Sequence, residues 1–255
     1  RVVVLGAGFI GCEAAASLVQ RGVAVDVVAM DELPMMRPLG TLMGEEIRRR
    51  HESHGVRFHL GAQVDEITGP AGSPRVVLSN GTALSPTMIV EAVGSAPNVG
   101  MFDDESLDVT DGLLCDNHLR VQGARRAVAV GDVARFPNPL FDDTARRVEH
   151  WQLPMFAAKR AARSLIEELD DRPADDTPFT PMPWFWSDQY DTSIQSFGLP
   201  GIADEIMMLS DAPSGEMSAV YARAGRVTGV AHLGSARNAA RLRGHVGADM
   251  NALTS

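Results

Sequence analysis

The sequence predicts an α/β fold in which a parallel sheet comes first and a smaller α+β unit comes last. Two observations carry this prediction. The chain opens with a buried apolar strand, a glycine-rich turn, an Ala-rich helix and a second strand, which is the order of a parallel βαβ unit. Further along, residues 170–183 are rich in Pro and Asp and separate this part from a terminal stretch of strands and Gly turns.

The elements of the N-terminal block follow from apolar patterning. A strand is predicted at 2–5 and a helix at 13–20, which Gly22 ends. A second strand is predicted at 23–30, and charges at helical spacing indicate a surface helix at 44–54. Short strands follow at 57–60, 63–67, 75–78 and 87–93, with Asn80 and Gly81 in a hairpin turn.

A second block begins near Asp108. Strands are predicted at 113–121 and 127–130, a loop at 136–139, and a long helix at 152–169 with Pro154 in its first turn. In the last part of the chain, Ser235 is predicted to cap a final helix rich in Ala and Arg.

Composition excludes several classes of protein. The chain has 255 residues, 45% hydrophobic and 22% charged, so it can bury a core and is not expected to be disordered. A formal net charge of −10 argues against nucleic acid as the main partner. Two cysteines, Cys12 and Cys115, are too few for a disulfide scaffold. No apolar run reaches the ~20 residues of a membrane span, so we expect a cytoplasmic location without a membrane partner.

Three glycines between the first strand and the first helix point to a dinucleotide site. Gly6, Gly8 and Gly11 have the spacing G-x-G-x-x-G, with Phe9 and Ile10 inside it. In such a fingerprint the first glycine allows a tight turn, the second lets the backbone approach a pyrophosphate, and the third brings helix and strand together. The helix N-terminus then faces the phosphates. The alternative is a glycine-rich turn in another kind of α/β protein.

The tip of the second strand bears on the choice between NAD and NADP. An acid is usual there, to hold the ribose hydroxyls. This sequence has Ala29 at that position, while Asp26 lies inside the strand. Asp31 could reach the ribose from the following loop, and Arg37 could meet a 2′-phosphate. NADP therefore stays open, and NAD is the cofactor we favour.

Several motifs together resemble a known family. GAGFIGCE at 6–13 resembles the nicotinamide-binding segment of FAD-dependent pyridine nucleotide oxidoreductases. GSAPN at 94–98 resembles the loop that returns to their flavin domain, and AVGDVARFPNP at 129–139 resembles their second flavin motif. PWFWSDQY at 183–190 is similar to the C-terminal domain of the ferredoxin reductases that serve Rieske-type dioxygenases and cytochromes P450.

The resemblance implies an electron-transfer function. Hydride would pass from NAD(P)H to FAD, and electrons would then pass to a ferredoxin-type iron–sulfur protein. It also implies an NAD(P)-binding domain at 1–107, a returning part of the FAD domain at 108–175 and a C-terminal reductase domain at 176–255. In that family the nicotinamide domain is inserted into the flavin domain, so an FAD fingerprint is expected before Arg1. We therefore expect the sequence to be part of a longer protein, and by itself to hold FAD weakly, to be inactive and to form homo-oligomers.

The same resemblance implies two catalytic carboxylates and a set of cofactor contacts. Glu13 and Glu149 match carboxylates near the nicotinamide, where they would stabilise the positive ring formed on oxidation. Glu13 could instead be a first-turn acid favoured by the helix dipole. The full set of predicted cofactor contacts combines the fingerprint, the two residues near the strand tip and the positions that the resemblance adds. They are Gly6, Gly8, Phe9, Ile10, Gly11, Asp31, Arg37, Gly94, Gly131, Asp132, His150, Trp151, Trp184 and Trp186.

Within that set, the resemblance gives several side chains a specific role. Asp132 would bond the ribityl chain of FAD, and Phe9 would gate the flavin face. His150 and Trp151 would begin the helix beneath the isoalloxazine. Trp184 and Trp186 alternate along a strand and so share one face, either at the flavin or as a core pair.

Arginines suggest how an acidic redox partner could dock. Arg237, Arg241 and Arg243 fall on the last helix, and together with Arg160 and Arg163 they could form a basic patch that guides a ferredoxin. The alternative is a solvated arginine face. Two other functions stay open: an NADH oxidase or nitrite-reductase-type flavoenzyme, and a non-enzymatic nicotinamide-sensing or scaffold flavoprotein of the same superfamily.

Overall fold

The N-terminal part of the molecule is built on four parallel strands, in a computed structural model that describes residues 1–173, 175–209 and 216–253. From edge to edge these strands are β3 (Arg57–His59), β2 (Val25–Val28), β1 (Val2–Leu5) and β7 (Met88–Glu91). β1 and β2 are rich in valine and almost fully buried, as expected for parallel strands covered on both faces.

Helices and a second sheet cover the parallel sheet. On one face, α1 (Phe9–Gln20) packs Ala15 against Val4 and Val27. On the other face, β4 (Val64–Thr68), β5 (Arg75–Leu78) and β6 (Ala83–Leu84) form an antiparallel sheet that buries Val76 with Val3. The hairpin between β5 and β6 takes its one positive φ at Gly81.

The predicted surface helix is longer than the charge pattern indicated. α2 (Met36–Ser53) begins well before residue 44 and contains a break at Gly40, whose φ is 74°. Arg37 is the one charged residue in the N-terminal turn of α2, which packs Leu39 into the core, so a charge pattern could not reveal this part of the helix.

One predicted strand in the middle of the chain is mostly a turn. The stretch 113–121 keeps only β8 (Leu113–Leu114) and takes part in two isolated bridges, Cys115 with Val121 and Arg120 with Val128. The Asp116 carboxylate accepts hydrogen bonds from the backbone N–H groups of His118 and Arg120, which turns the chain. The predicted strand at 127–130 likewise reduces to an isolated bridge at Val128.

Conversely, most of the predicted loop at 136–139 is a strand. β9 (Ala134–Asn138) pairs with β10 (Asp142–Arg147) along its length, while β8 pairs only with its first two residues. Pro137 is tolerated because one side of β9 is unpaired at that point. The long helix agrees with its prediction: α3 (Leu153–Leu169) has Pro154 in its first turn and packs Ala157 and Ala161 under Phe136.

The C-terminal part is a five-stranded antiparallel sheet with one helix. In sheet order the strands are β11 (Trp184–Gln189), β12 (Thr192–Gly198), β15 (Arg226–Gly234), β14 (Met217–Arg223) and β13 (Glu205–Leu209). The helix is α4 (Ala236–Leu242), and short 3₁₀ turns lie at Pro200–Ile202, Arg243–His245 and Met250–Leu253. Ser235 occupies the N-cap position of α4, but its side chain makes no capping hydrogen bond.

The C-terminal sheet packs directly on α1 and α2. Cys12 and Leu39 share a core cluster with Ile194, Tyr221 and Leu233, and the Tyr221 hydroxyl donates a 2.6 Å hydrogen bond to the Leu39 carbonyl. The predicted α/β class, with a parallel sheet first and an α+β unit last, is confirmed. None of the helices within the described ranges combines the length and apolar character that a membrane span requires.

Candidate functional site

The glycine-rich turn lies at the carboxyl end of β1, between β2 and β7, where open parallel sheets bind ligands. Gly6 has a φ of 101°, and a Cβ there would lie 2.2 Å from the Ala92 carbonyl oxygen. A Cβ on Gly11 would lie 2.0 Å from the Gly6 carbonyl oxygen. These two glycines therefore allow the tight turn and the close approach of α1 to β1.

Gly8 faces open space instead. It is exposed, its backbone is extended, and a Cβ at this position would meet no atom within 4 Å. Gly8 is also the N-cap of α1, whose first turn carries neither a side-chain cap nor an acid. The N-terminal N–H groups of a helix lack partners within it, so this end offers donors and partial positive charge. A helix N-terminus with these properties can bind a phosphate group, and Ile10, which follows two residues later, is 70% exposed.

Glu13 lies beyond the first turn of α1, because the helix begins at Phe9 rather than at residue 13. The helix dipole, which falls off within the first turn, therefore does not account for this acid. Its carboxylate accepts a 2.6 Å hydrogen bond from the Ser187 hydroxyl on β11. The C-terminal sheet thus holds Glu13.

Glu149 is held from two sides at the end of β10. Its carboxylate accepts hydrogen bonds from the Ser95 hydroxyl and from the Arg147 guanidinium. Arg147 is anchored in turn by a 2.8 Å hydrogen bond to Asp111. Ser95 follows Gly94, whose φ of 108° turns the chain after β7. The two motifs predicted around residues 94 and 149 therefore meet.

A cleft opens beside Glu149. It is lined by Asp132, Glu149, His150, Trp151 and Pro154, and Gly131 turns the chain into it with a φ of 83°. The Trp151 side chain is 84% exposed. Burial lowers the pKa of His150 to about 4, against the opposing charge of Asp132, so its ring is neutral at pH 7. Its Nδ1 has no hydrogen-bond partner among the described residues.

An aromatic contact joins α1 to this cleft. The Phe185 ring on β11 lies 4.4 Å from the Phe9 ring and 5.5 Å from the His150 ring, edge-on to both. Sequence reasoning missed Phe185. The signal was available, because strand alternation places Phe185 on the face opposite to its two tryptophan neighbours.

Trp184 and Trp186 share one face of β11, as the alternation predicted, with ring centroids 5.1 Å apart. Trp184 also stacks on Phe197 and joins the core of the C-terminal sheet, whereas Trp186 is 42% exposed. Their face is the one away from Phe9, Glu13 and His150. A role at the flavin stays a prediction for both.

Asp31 and Arg37 are paired with each other. The Arg37 guanidinium donates two 3.1 Å hydrogen bonds to Asp31, and the pair lies on the exposed rim beyond β2. The residue predicted to bind the ribose and the residue predicted to bind a 2′-phosphate therefore neutralise one another.

Three polar side chains that the sequence did not single out as site residues, those of His51, His232 and Gln189, are buried. Gln189 links Ser187 to His51 through its two amide atoms. The five-arginine patch needs a correction as well: Arg160 is buried and, like Arg163, pairs with Asp175.

Arg237, Arg241 and Arg243, on and just after α4, are exposed, and so is Arg163 despite its ion pair. Cys12 and Cys115 are buried free thiols, as expected of small core residues. Within the ranges that the structure describes, no three His, Cys, Asp or Glu side chains are grouped as a metal site requires.

Two family descriptions match the chain. "Pyridine nucleotide-disulphide oxidoreductase" matches residues 1–158, and "Reductase C-terminal" matches residues 184–253. The probable ferredoxin reductase CtmF of Castellaniella defragrans is 32% identical over 90% of this chain and 54% of its own length. The anthranilate 1,2-dioxygenase system ferredoxin–NAD(+) reductase component of Burkholderia cepacia is 33% identical over 84% of this chain and 51% of its own length.

Among solved structures, the ferredoxin reductase for the CYP199A2 system from Rhodopseudomonas palustris superposes with a TM-score of 0.85 at 30% identity. That match covers 98% of this chain and 61% of the solved one. The chain thus spans about half the length of these curated relatives.

Proposed function

The chain belongs to the pyridine nucleotide-disulphide oxidoreductase family, and on that premise we propose that it is the nicotinamide-binding and electron-delivering part of an NAD(P)H-dependent ferredoxin reductase. In this proposal residues 1–107 hold the nicotinamide dinucleotide, 108–175 contribute to the flavin site, and 176–255 complete the reductase. The observation that carries the proposal is the contact of Phe185 with both Phe9 and His150. The Phe185 ring thus contacts both α1, which would bind the dinucleotide, and the cleft beside Glu149, which would bind the flavin.

The residues present fit both cofactors that the family implies. Gly8 leaves space for a pyrophosphate at a helix N-terminus. To a flavin the cleft offers the Asp132 carboxylate, the exposed indole of Trp151 and the Nδ1 of His150, which has no hydrogen-bond partner within the described ranges. When bound, FAD would accept a hydride from the reduced nicotinamide and release its electrons singly.

The protein groups supply position and charge. Glu13 bonds Ser187, two residues after Phe185, and Glu149 precedes His150 in the chain. In this proposal both carboxylates would favour the positive nicotinamide ring over the neutral one. Ser187 holds the first carboxylate, and Ser95 and Arg147 hold the second. His150 stays neutral at pH 7 and so adds no competing positive charge to the cleft.

We favour NAD over NADP. Ala29 at the strand tip offers no acid, but Arg37 is already paired with Asp31 and would have to leave that carboxylate to meet a 2′-phosphate. Calorimetric titration of the chain with NADH and NADPH tests the preference. NADH should bind more tightly, and Asp31→Ala should narrow the difference by freeing Arg37. Tighter binding of NADPH by the unmodified chain would reverse the assignment.

The electron acceptor we propose is an acidic ferredoxin-type iron–sulfur protein. Exposed Arg237, Arg241 and Arg243 provide a positive field on a chain of net charge −10. In the longer protein, Arg237→Glu combined with Arg241→Glu should slow ferredoxin reduction at low salt and leave the rate with a small dye acceptor unchanged. Arg21→Glu, at the far end of α1, is the matched control. An equal ferredoxin rate in the double variant at low salt would exclude this docking surface.

Enzymatic turnover separates the reductase from a sensor or scaffold. With NADH and an artificial acceptor, the longer protein should show rapid and repeated flavin bleaching. Glu149→Gln should lower that rate by about tenfold or more, as expected for loss of one charge-stabilising group. A slow, stable charge-transfer complex without turnover would favour the non-enzymatic alternative.

A further inference from the structure

A continuous set of hydrogen bonds, buried at its centre and half-buried at both ends, runs from Glu13 to the contact between α2 and β11. The Ser187 hydroxyl lies 2.6 Å from Glu13 Oε1, and Gln189 Nε2 lies 3.1 Å from Ser187 Oγ. Gln189 Oε1 lies 2.8 Å from His51 Nε2, and the Tyr190 hydroxyl lies 2.9 Å from His51 Nδ1. Ser187 and His51 are fully buried and Gln189 is 4% exposed.

The chemistry of Glu13 determines the direction of every donor in this set. A carboxylate only accepts, so the Ser187 hydroxyl must donate to it and can accept only from Gln189 Nε2. The Gln189 carbonyl oxygen is then left to accept from His51, which must carry its proton on Nε2. His51 Nδ1 is therefore an acceptor, and the Tyr190 hydroxyl donates to it.

Both ends of the set are held in place. Tyr190 occupies the hairpin turn between β11 and β12 with a φ of 59°, a left-handed conformation that non-glycine residues rarely adopt. Its ring stacks on His54 at 3.8 Å between centroids. At the other end, Glu13 is fixed on α1 next to Cys12, a member of the core cluster shared with the C-terminal sheet.

We propose that Tyr190, His51, Gln189 and Ser187 are positioning residues that hold the Glu13 carboxylate in one orientation for the nicotinamide ring. The proposal rests on the proposed function, because it assigns Glu13 to that ring. Several linked hydrogen bonds hold a side chain more rigidly than a single contact does. The Glu13 carboxylate therefore keeps its orientation when the nicotinamide ring changes from neutral to positive. Burial also lowers the pKa of His51 and keeps it neutral, as the donor directions require.

The first test is the protonation state of one nitrogen, read without any cofactor. Long-range proton–nitrogen NMR on the chain at pH 7 should show His51 as the neutral Nε2–H tautomer. His54 provides an internal control, since its Nδ1 lies 2.8 Å from the Arg50 carbonyl oxygen and must carry a proton. An Nδ1–H tautomer or a doubly protonated ring at His51 would overturn the donor order and the proposal with it.

The second test reads the nicotinamide. Titration of the chain with NAD⁺ and NADH compares a positive ring with a neutral one. A carboxylate held against the nicotinamide favours the positive ring, so the unmodified chain should have a high ratio of Kd for NADH to Kd for NAD⁺. Ser187→Ala removes the hydrogen bond to the Glu13 carboxylate, and the nearly isosteric Gln189→Met removes the group that orients Ser187. Each should lower this ratio by about threefold or more. Asp188→Asn, an exposed change on the other face of β11, should leave the ratio within about twofold.

The outcomes separate this proposal from the proposed function. If the unmodified chain binds neither nucleotide, the proposed function fails, while the His51 tautomer still decides whether the hydrogen-bond set exists. If the chain binds both nucleotides and either variant keeps both its thermal stability and the original ratio, the positioning role is wrong.

Discussion

Replacing Gly8 by Ala should abolish tight dinucleotide binding while leaving the fold intact. The backbone of Gly8 is extended, at φ −78° and ψ −166°, and a methyl group there would meet no atom within 4 Å. The free energy of unfolding should therefore change by less than about 1 kcal/mol, and could rise because alanine restricts the unfolded chain. The same methyl group would stand where a pyrophosphate must approach the helix N-terminus, so Kd for NADH should rise by about tenfold or more.

Gly11→Ala is the matched control for Gly8→Ala. Its Cβ would lie 2.0 Å from the Gly6 carbonyl oxygen, whereas real Cβ contacts essentially never fall below 3.0 Å. The helix must move away from β1 by about an ångström, which should cost about 2–3 kcal/mol of stability. Urea unfolding measures the free energy of unfolding, and calorimetry measures Kd for NADH, for the unmodified chain and for each of the two variants. Unchanged NADH affinity in Gly8→Ala, or a larger loss of stability there than in Gly11→Ala, would refute this account of the turn.

Three further predictions concern buried groups. The pKa of His150 is about 4 in the fold and ~6.5 in the unfolded chain, so only the unfolded state gains the proton between these values. The free energy of unfolding should therefore be highest above pH 6.5 and fall by about 3 kcal/mol as the pH is lowered toward 4. His150→Phe should flatten that part of a urea-unfolding pH profile. Burial raises the pKa of Cys12 to about 12 and of Cys115 to about 11, so mass spectrometry should find neither alkylated at pH 8 until urea unfolds the chain. Asp26→Asn removes the carboxylate that accepts 2.9 Å and 2.7 Å hydrogen bonds from Arg57, and should lower the free energy of unfolding by about 2 kcal/mol; a loss below about 0.5 kcal/mol would contradict this.

Local patterns predicted the fold well where structure is locally determined. Valine runs, the glycine spacing and Pro154 identified β1, β2, the turn and α3. The errors fell where one side chain or one neighbour decides the outcome. Asp116 turns a chain whose apolar content indicated a strand, and pairing with β10 makes a strand of a segment that contains Pro137.

The sequence by itself predicted which residues could meet a dinucleotide, because the glycine turn and the helix N-terminus lie within a few residues of one another. Tertiary structure decided what holds the site together. Ser187 reaches Glu13, Ser95 reaches Glu149, and Phe185 joins Phe9 to His150 only because separate sheets pack together. Such contacts depend on the relative placement of elements far apart in the chain, and neither periodicity nor spacing along the sequence encodes that placement.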